Sequence, residues 1–121
     1  MADALRTMLR NMQPVLHPEP YSITVQTSAV AGAFATVAEA EGVTVIAPLS
    51  LVPCASAWAR ISLTLHSDLA AVGLTAAFTR ALADQGISAN VVAGYFHDHV
   101  FVQWEKRDGA MAALQTLASN A

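Results

Sequence analysis

The sequence contains little that would support covalent cross-linking or strong electrostatic binding. It has one cysteine, Cys54, so no disulfide can form within the chain. A chain of this kind fits a reducing compartment, and we expect a cytoplasmic location. Charged residues make up only 12% of the chain, with six Lys and Arg against nine Asp and Glu and a net charge of −3. Because there is no run of Lys or Arg, we expect neither nucleic acid nor an anionic membrane as a partner.

Long apolar segments are also missing. The longest weakly polar stretch, residues 28–38, is mostly Ala and falls well short of the roughly 18 apolar residues that a membrane-spanning helix needs. The first residues predict an amphipathic helix rather than an export signal, so we expect a soluble chain. The apolar positions of this helix are Leu5, Met8, Leu9 and Met12.

Apolar residues are abundant instead. They make up 55% of the 121 residues, which is enough for one compact domain or for two small units that share a core. With so little charge, an unusually large part of the surface must be apolar. We therefore expect some of this surface to be an interface with a partner.

Alternation of apolar and polar residues predicts five strands. They cover residues 21–27, 43–47, 58–66, 87–93 and 99–104. In the third strand, Ile61 and Leu63 point one way while Arg60 and Ser62 point the other, which predicts one buried and one solvated face. The last two strands are separated by residues 94–98, a gap of hairpin length, and should pair antiparallel.

Helical spacing predicts three further helices. The first covers residues 31–41 and ends at Gly42, and the second covers residues 69–85 and ends at Gly86. Asp108 is expected to cap the third helix at its N-terminus. The inward residues of this last helix are Met111, Leu114 and Leu117.

The two glycines also align an internal repeat. Phe34 lies eight residues before Gly42, and Phe78 lies eight residues before Gly86. Each copy then reads as strand, helix and strand, with a further strand and helix after the second copy.

Two longer segments carry a resemblance to known proteins. Residues 65–76 (LHSDLAAVGLTA) and residues 86–102 (GISANVVAGYFHDHVFV) resemble a group of short bacterial proteins with tandem ACT domains. Residues 39–44 (EAEGVT) resemble the first unit of that group. The second unit is also similar to the regulatory half of aspartokinases and to the cytosolic arginine sensors of animals.

This resemblance implies an α+β fold made of two ferredoxin-like βαββαβ units in tandem that share an antiparallel sheet. Residues 1–57 would form the N-terminal helix and an abbreviated first unit, and residues 58–121 would form the second ACT domain. The second unit lacks its final strand, which would leave an apolar sheet edge open. We expect the first unit to fill this place, for example with residues 21–27, so that the chain forms one folding unit.

The resemblance also implies a binding site for an amino acid or a similar small molecule. In ACT domains that bind amino acids, the loop between the first strand and the first helix contacts the effector. Backbone N–H groups at the start of this helix attract a carboxylate, and Gly73 would let a ligand approach closely. Alternatively, Gly73 only allows tight packing. The loop residues expected in the site are His66, Ser67, Val72, Gly73, Leu74 and Thr75.

Three residues outside this loop complete the expected site. Asn90 has an amide that suits an α-amino-acid head group, although a hydrogen bond at the strand end explains it equally well. Tyr95 and His97, beside Asp98, are expected to close over a ligand, or else to form a polar hairpin tip. His97 and His99 could instead bind a metal together with His66, but no complete ligand set can be identified, and we expect neither metal nor cofactor.

No catalytic arrangement is recognisable in the sequence. Cys54 follows Pro53 in an apolar segment that should lie on the core, which predicts an inert core thiol. Glu39 and Glu41 are expected to be solvated. We therefore expect a non-enzymatic homodimer that senses an amino acid. The alternatives are a protein–protein interaction module that has lost its ligand, and an enzyme or metal protein built on His66, His97 and His99.

Overall fold

The computed structural model describes residues 3–64 and 72–121. The helices are α1 (Asp3–Arg10), α2 (Leu74–Asp84) and α3 (Arg107–Ser119), the last preceded by a 3-10 turn at Trp104–Lys106. The strands are β1 (Pro14–Leu16), β2 (Tyr21–Gln26), β3 (Ala35–Glu39), β4 (Gly42–Pro48), β5 (Trp58–Leu63), β6 (Asn90–Ala93) and β7 (Asp98–Gln103). None of the described helices is long and apolar enough to cross a membrane.

The seven strands of the described residues belong to one antiparallel sheet. Its order is β3-β4-β2-β5-β7-β6, and β1 also pairs with β5. The C-terminal half runs β5, α2, β6, β7 and α3, so the predicted α+β architecture with a shared antiparallel sheet is confirmed, as is the hairpin between β6 and β7. The first half contributes β2, β3 and β4, and no helix lies between these strands.

One edge of β5 pairs with β7. The other edge pairs with two different parts of the N-terminal half. Leu16 lies opposite Ile61, and β1 continues along this edge of β5 in antiparallel register. Further along, Tyr21 is the residue of β2 that pairs with β5, opposite Trp58. The neighbour of β5 is therefore mainly β1, which the sequence pattern does not predict, and residues 22–26 pair with β4 instead.

The three helices cover one face of the sheet and form the main core with it. Leu9 and Met12 from the N-terminal segment are fully buried there, beside Phe78 of α2 and Leu114 of α3. This confirms the predicted apolar side of α1. Gly86 follows α2 with a left-handed φ of 71°, and its N–H donates to the Ala83 carbonyl, so the predicted end of α2 is confirmed.

The helix predicted over residues 31–41 is wrong. This segment forms β3 and a two-residue turn, and Thr36 and Val37 pair with β4. Ala-rich segments favour helices only weakly, and the backbone hydrogen bonds that β4 offers outweigh this preference. Gly42 therefore ends no helix. It allows close packing of the hairpin, because a Cβ at this position would lie 2.7 Å from Val25 Cγ2.

The alignment of the two units by their Phe and Gly residues is wrong for the same reason. Phe34 lies just before a strand, whereas Phe78 lies inside α2. The equal spacing of Phe and Gly therefore aligns two segments that have different secondary structure.

Two local predictions also fail. Asp108 lies in the first turn of α3, and Lys106 is the N-cap residue, because the chain enters the helix through the 3-10 turn that precedes it. Cys54 is exposed and is not a core thiol. It lies in the irregular connection between β4 and β5.

Candidate functional site

The two faces of β5 have different environments. Ile61 and Leu63 point into the helix-covered core. Arg60 and Ser62 point to the opposite face, as the alternating pattern predicts. This second face is not solvated as expected, since Ser62 is only 7% exposed. Side chains from the N-terminal half of the chain cover it.

The cover is a small aromatic cluster. Tyr21, Ile46 and Phe101 are buried, and Phe34 packs against them. The ring centroids of Tyr21 and Phe101 are 5.6 Å apart in an edge-to-face arrangement, and Phe34 lies 5.8 Å from Phe101. Residues from β2, β4, β7 and the segment before β3 thus meet over β5.

Arg60 brings a positive charge into this cluster. Its Nη1 donates a hydrogen bond to the Tyr21 hydroxyl over 2.9 Å, and its Cζ lies 3.9 Å from the centroid of the Phe34 ring. Its Nε is buried and has no hydrogen-bond partner. Among the residues that the structure describes, no carboxylate forms an ion pair with Arg60. The guanidinium therefore has no direct ion pair and one unused donor, and the Glu19 carboxylate reaches it only through the Tyr21 hydroxyl, 3.5 Å from the Tyr21 oxygen.

A chain of hydrogen bonds continues from Arg60 across the sheet. His99 Nδ1 lies 2.8 Å from Ser62 Oγ and 3.5 Å from Arg60 Nη2, and His17 Nε2 lies 2.8 Å from the same Ser62 oxygen. Because a guanidinium only donates, we assign Nδ1 of His99 as the acceptor and its Nε2 as the protonated nitrogen. The Ser62 hydroxyl then donates to His99, and its oxygen accepts from His17. Every group in this chain has a consistent role.

Both imidazoles are held in the neutral form. Burial, together with the nearby charges of Arg60, His97 and His17, lowers the pKa of His99 to about 4. Burial and Arg60 also lower the pKa of His17, while Glu19 opposes this shift. At neutral pH the positive charge of the cluster therefore resides on Arg60 alone.

The stability of the protein should fall in mildly acidic solution because of His99. Between the ordinary pKa of 6.5 and about 4, the unfolded chain binds a proton that the folded protein excludes. This contribution is complete above pH 6.5 and is lost as the pH falls towards 4. Since His99 is partly solvated, we expect a loss of about 1–2 kcal/mol.

Chemical denaturation of the wild type and of His99→Asn at pH 7 and pH 4.5 would measure this effect. The Asn side chain can accept the hydrogen bond of Ser62 but does not titrate, so its stability should depend less on pH. Burial raises the pKa of Asp98, which acts in the opposite direction in both proteins and cancels in the comparison. Equal pH dependence in the two proteins would contradict the assignment.

The residues of the predicted loop site lie either near the start of α2, apart from the Arg60 cluster, or outside the described residues. His66 and Ser67 belong to residues 65–71, which the structure does not describe. Gly73 precedes α2 with a left-handed φ of 98°, and a Cβ there would lie 3.0 Å from Leu5 Cδ2. Leu74 is buried in the helix-covered core. Val72 and Thr75 are exposed beside them.

The contact with Leu5 supports the packing interpretation of Gly73, with α1 as the packed element. It also makes a substitution of Gly73 a poor test of ligand binding. Any larger side chain would be strained at this φ and would press on Leu5, so a loss of binding could reflect a loss of structure.

The three other predicted residues lie near the second face or the hairpin. Asn90 pairs with Phe101, which pairs with Arg60, so Asn90 shares the face of the Arg60 cluster but is exposed. Tyr95 is 74% exposed at the hairpin turn. His97 is half-buried there, and its charge acts on His99.

A metal site is not formed by the described part of the chain. Within residues 3–64 and 72–121, no three His, Cys, Asp or Glu side chains lie close enough to hold a metal ion. The proposed set of three histidines includes His66, which lies outside these residues.

Sequence reasoning missed the residues that form the Arg60 cluster. Arg60 and Ser62 were placed on a polar face, which is the one signal that pointed to them. His17 lies in a segment with no periodic pattern, and Phe34 was assigned to a helix. Their meeting depends on how the N-terminal half folds over β5, which no local pattern shows.

Comparison with protein families decides what kind of protein this is. Residues 55–116 match the family model of the ACT domain, and residues 2–51 match a second ACT domain model. This chain belongs to the ACT domain family. The resemblance stated from the sequence is thereby confirmed. ACT domains are regulatory domains, so this is a tandem ACT protein of regulatory type.

Solved structures show the same fold. A protein of unknown function from Vibrio cholerae, described as a possible transport protein, is 39% identical, with a TM-score of 0.84 over 95% of this chain and 96% of its own. An Agrobacterium tumefaciens protein is 15% identical, with a TM-score of 0.67 over 83% and 84% of the two chains. The ligand-free regulatory subunit of aspartate kinase from Thermus thermophilus is 10% identical, with a TM-score of 0.60 over 86% and 95%. A search of curated proteins gives no match.

Proposed function

We propose that this ACT protein is a regulatory, non-enzymatic protein that binds a small carboxylate, namely an amino acid. The observation that carries the proposal is that Arg60 has no direct ion pair among the described residues. It is half-buried, it has one donor without a partner, and no carboxylate of the described residues pairs with it. A guanidinium with free donors is well suited to two oxygens of a carboxylate.

The charges of the cluster favour a ligand with one carboxylate. His17 and His99 are neutral, so the positive charge of the cluster is that of Arg60, and the Glu19 carboxylate reaches it only through the Tyr21 hydroxyl. Asn90 shares this face of the sheet two strands away, which is roughly 10 Å between backbones. Its amide offers both a donor and an acceptor to the remaining polar groups of an amino acid.

The remaining expectations stay predictions. We propose that the protein is a cytoplasmic homodimer and that the loop before α2 contributes to the ligand site. The high apolar content and the exposed side chains of Val37, Tyr95 and Phe96 support an interface between copies. Light scattering that gives the monomer mass of 12.7 kDa would contradict the dimer.

A thermal-shift screen against the twenty amino acids tests the function. A ligand at 100 times its dissociation constant adds about 2.7 kcal/mol, which shifts the melting temperature by roughly 10 °C for a chain of this size. We expect a saturable shift with one or a few amino acids. The matched control is the amide of each active compound, which lacks the carboxylate and should give no shift. An equal shift with the amide would exclude recognition of the carboxylate.

A second candidate function is a ligand-free interaction module. It is favoured by the packing of Leu5 against Gly73, because the chain itself occupies the space where an ACT ligand is expected. If the screen shows no stabilising compound, this second function is the better interpretation, and a search for a protein partner would follow.

A further inference from the structure

The main path of the sheet ends in two outer strands, β3 and β6, and β3 is the more exposed of the two. Its residues 36–39 are exposed, and its whole length pairs with β4. Within the described residues, no strand lies on its other side. Natural sheet edges are usually blocked by Lys, Pro or a covering segment, because their free backbone groups are a template for further strands. β3 contains neither Lys nor Pro.

The register of the β3–β4 hairpin shows which backbone groups of β3 are free. Glu39 and Gly42 pair across a two-residue turn, and the residues beside such a turn exchange their backbone hydrogen bonds. Bonded and free groups alternate along the outer strand of an antiparallel sheet. The N–H and C=O groups of Thr36 and Ala38 therefore point away from β4. They have no strand partner among the residues that the structure describes.

The side chains at this edge form an apolar row across the sheet. Val37, Thr44 and Val25 lie side by side on neighbouring strands. Val37 is 50% exposed and Val25 is 68% exposed. A strand that pairs with β3 would continue this row and cover Val37. The edge thus offers both free hydrogen-bonding groups and apolar surface to a further strand.

The other outer strand offers less. β6 has four residues against five in β3, and its two valines are already partly buried. Val91 packs against the helix-covered core, and Val92 packs against the aromatic cluster. Pairing along β6 would therefore remove less additional apolar surface from water.

A second copy of β3 fits this edge in antiparallel orientation. A twofold axis at Val37 would place Val37 opposite itself and Thr36 opposite Ala38 of the second copy. The free groups of Thr36 and Ala38 would then face each other as a hydrogen-bonded pair. Glu39 would lie opposite Ala35, so the two carboxylates would be at opposite ends of the paired strands. Parallel pairing would instead bring the two carboxylates together, which is unfavourable.

We propose that two copies of this protein associate through β3 and form one continuous antiparallel sheet. The proposal rests on the homodimer proposed above and assigns its interface. Two five-residue strands bury less than the roughly 1,200 Å² of total area found in stable interfaces, so the dimer should be weak and concentration-dependent. Arg60 lies on β5, away from this edge, so carboxylate binding does not require the dimer.

Proline substitutions in the two outer strands test the interface. Ala38→Pro removes a free N–H of β3 without breaking a bond to β4, and proline is tolerated at such edge positions. The matched control is Ala93→Pro in β6. The Ala93 N–H also points outward, because Gly94 donates to the His97 carbonyl and the alternation continues from this pair. Sedimentation equilibrium between about 5 and 500 µM would measure association, and circular dichroism would verify folding.

We expect the wild type and Ala93→Pro to dimerise with the same dissociation constant. Ala38→Pro should raise this constant at least about tenfold, because the twofold axis introduces each lost hydrogen bond twice. An unchanged constant in Ala38→Pro, or an equal rise in Ala93→Pro, would overturn the interface. A wild type that stays monomeric would overturn both the interface and the homodimer, while the thermal-shift screen would still decide whether an amino acid binds.

A second variant keeps the test valid if Ala38→Pro does not fold. Val37→Lys changes an exposed side chain, so the fold should tolerate it. In the proposed dimer it places two ammonium groups opposite each other at the twofold axis, which is unfavourable. The dissociation constant should again rise at least about tenfold. A dimer of unchanged affinity would show that β3 is not the interface.

Discussion

Replacement of Arg60 by Met is expected to abolish carboxylate binding while leaving the protein without ligand about as stable as before. A paired guanidinium and carboxylate that are shielded from water contribute strongly to affinity, and loss of one partner should weaken binding at least about 100-fold. That factor corresponds to about 2.7 kcal/mol at 25 °C.

The stability of the variant should change little, because Arg60 is a poor stabilising residue as it stands. Its charge has no carboxylate partner among the described residues, and its Nε has no acceptor. An apolar side chain of similar length often replaces a poorly compensated buried charge without loss of stability. Met also fills the space between the rings of Tyr21 and Phe34. We expect a change in the free energy of unfolding within about 1 kcal/mol.

The matched control for this experiment is Arg80→Met. Arg80 lies on α2 with its side chain 77% exposed, and it forms an ion pair with Asp84 at 3.9 Å. Its removal should affect neither binding nor stability. Calorimetric titration and urea denaturation of both variants would give the two quantities. A loss of several kcal/mol in the Arg60 variant would show that Arg60 supports the fold through Tyr21 and Phe34, and would contradict its role as a ligand group.

Leu9→Ala is expected to lower the free energy of unfolding by about 2–5 kcal/mol. Leu9 is fully buried, and it packs in a core that otherwise consists largely of the second ACT unit, including Phe78 and Leu114. We propose that the two halves form one folding unit. The destabilised variant should then still unfold in one transition that involves the whole chain.

Amide hydrogen exchange in β4 and in α3 would follow the two parts of the molecule during urea unfolding. Leu51→Ala is the matched control, because Leu51 is 45% exposed in the connection before β5 and should cost less than about 1 kcal/mol. Two separate transitions, with only one of them shifted by Leu9→Ala, would show that the halves fold independently.

Those parts of the sequence with a clear period were interpreted correctly. In β5 the apolar positions Ala59, Ile61 and Leu63 are buried on one side, and Arg60 and Ser62 lie on the other. Burial favours such alternation directly, since successive side chains of a strand point to opposite faces. The C-terminal end of α2 and the hairpin between β6 and β7 also follow from local signals.

The segment before Gly42 shows why segments without a clear period were predicted wrongly. Residues 31–41 contain several Ala and two Glu, which favour a helix in isolation. Pairing with β4 decided the outcome, because a strand at this position satisfies the backbone groups of both segments. Such pairing depends on residues that lie in the neighbouring strand and on the space available beside it.

The sequence by itself determined the class of the protein. Its periodicity, its low charge and the motifs of residues 65–76 and 86–102 led to a tandem ACT protein with an antiparallel sheet. Only the tertiary structure decided which face of β5 is covered and what meets there. His17, Phe34, Arg60 and His99 come from four separate segments, and they are joined because the N-terminal half folds across the sheet. Periodicity reports which side of a strand is apolar, but the partner of a polar side is set by long-range packing.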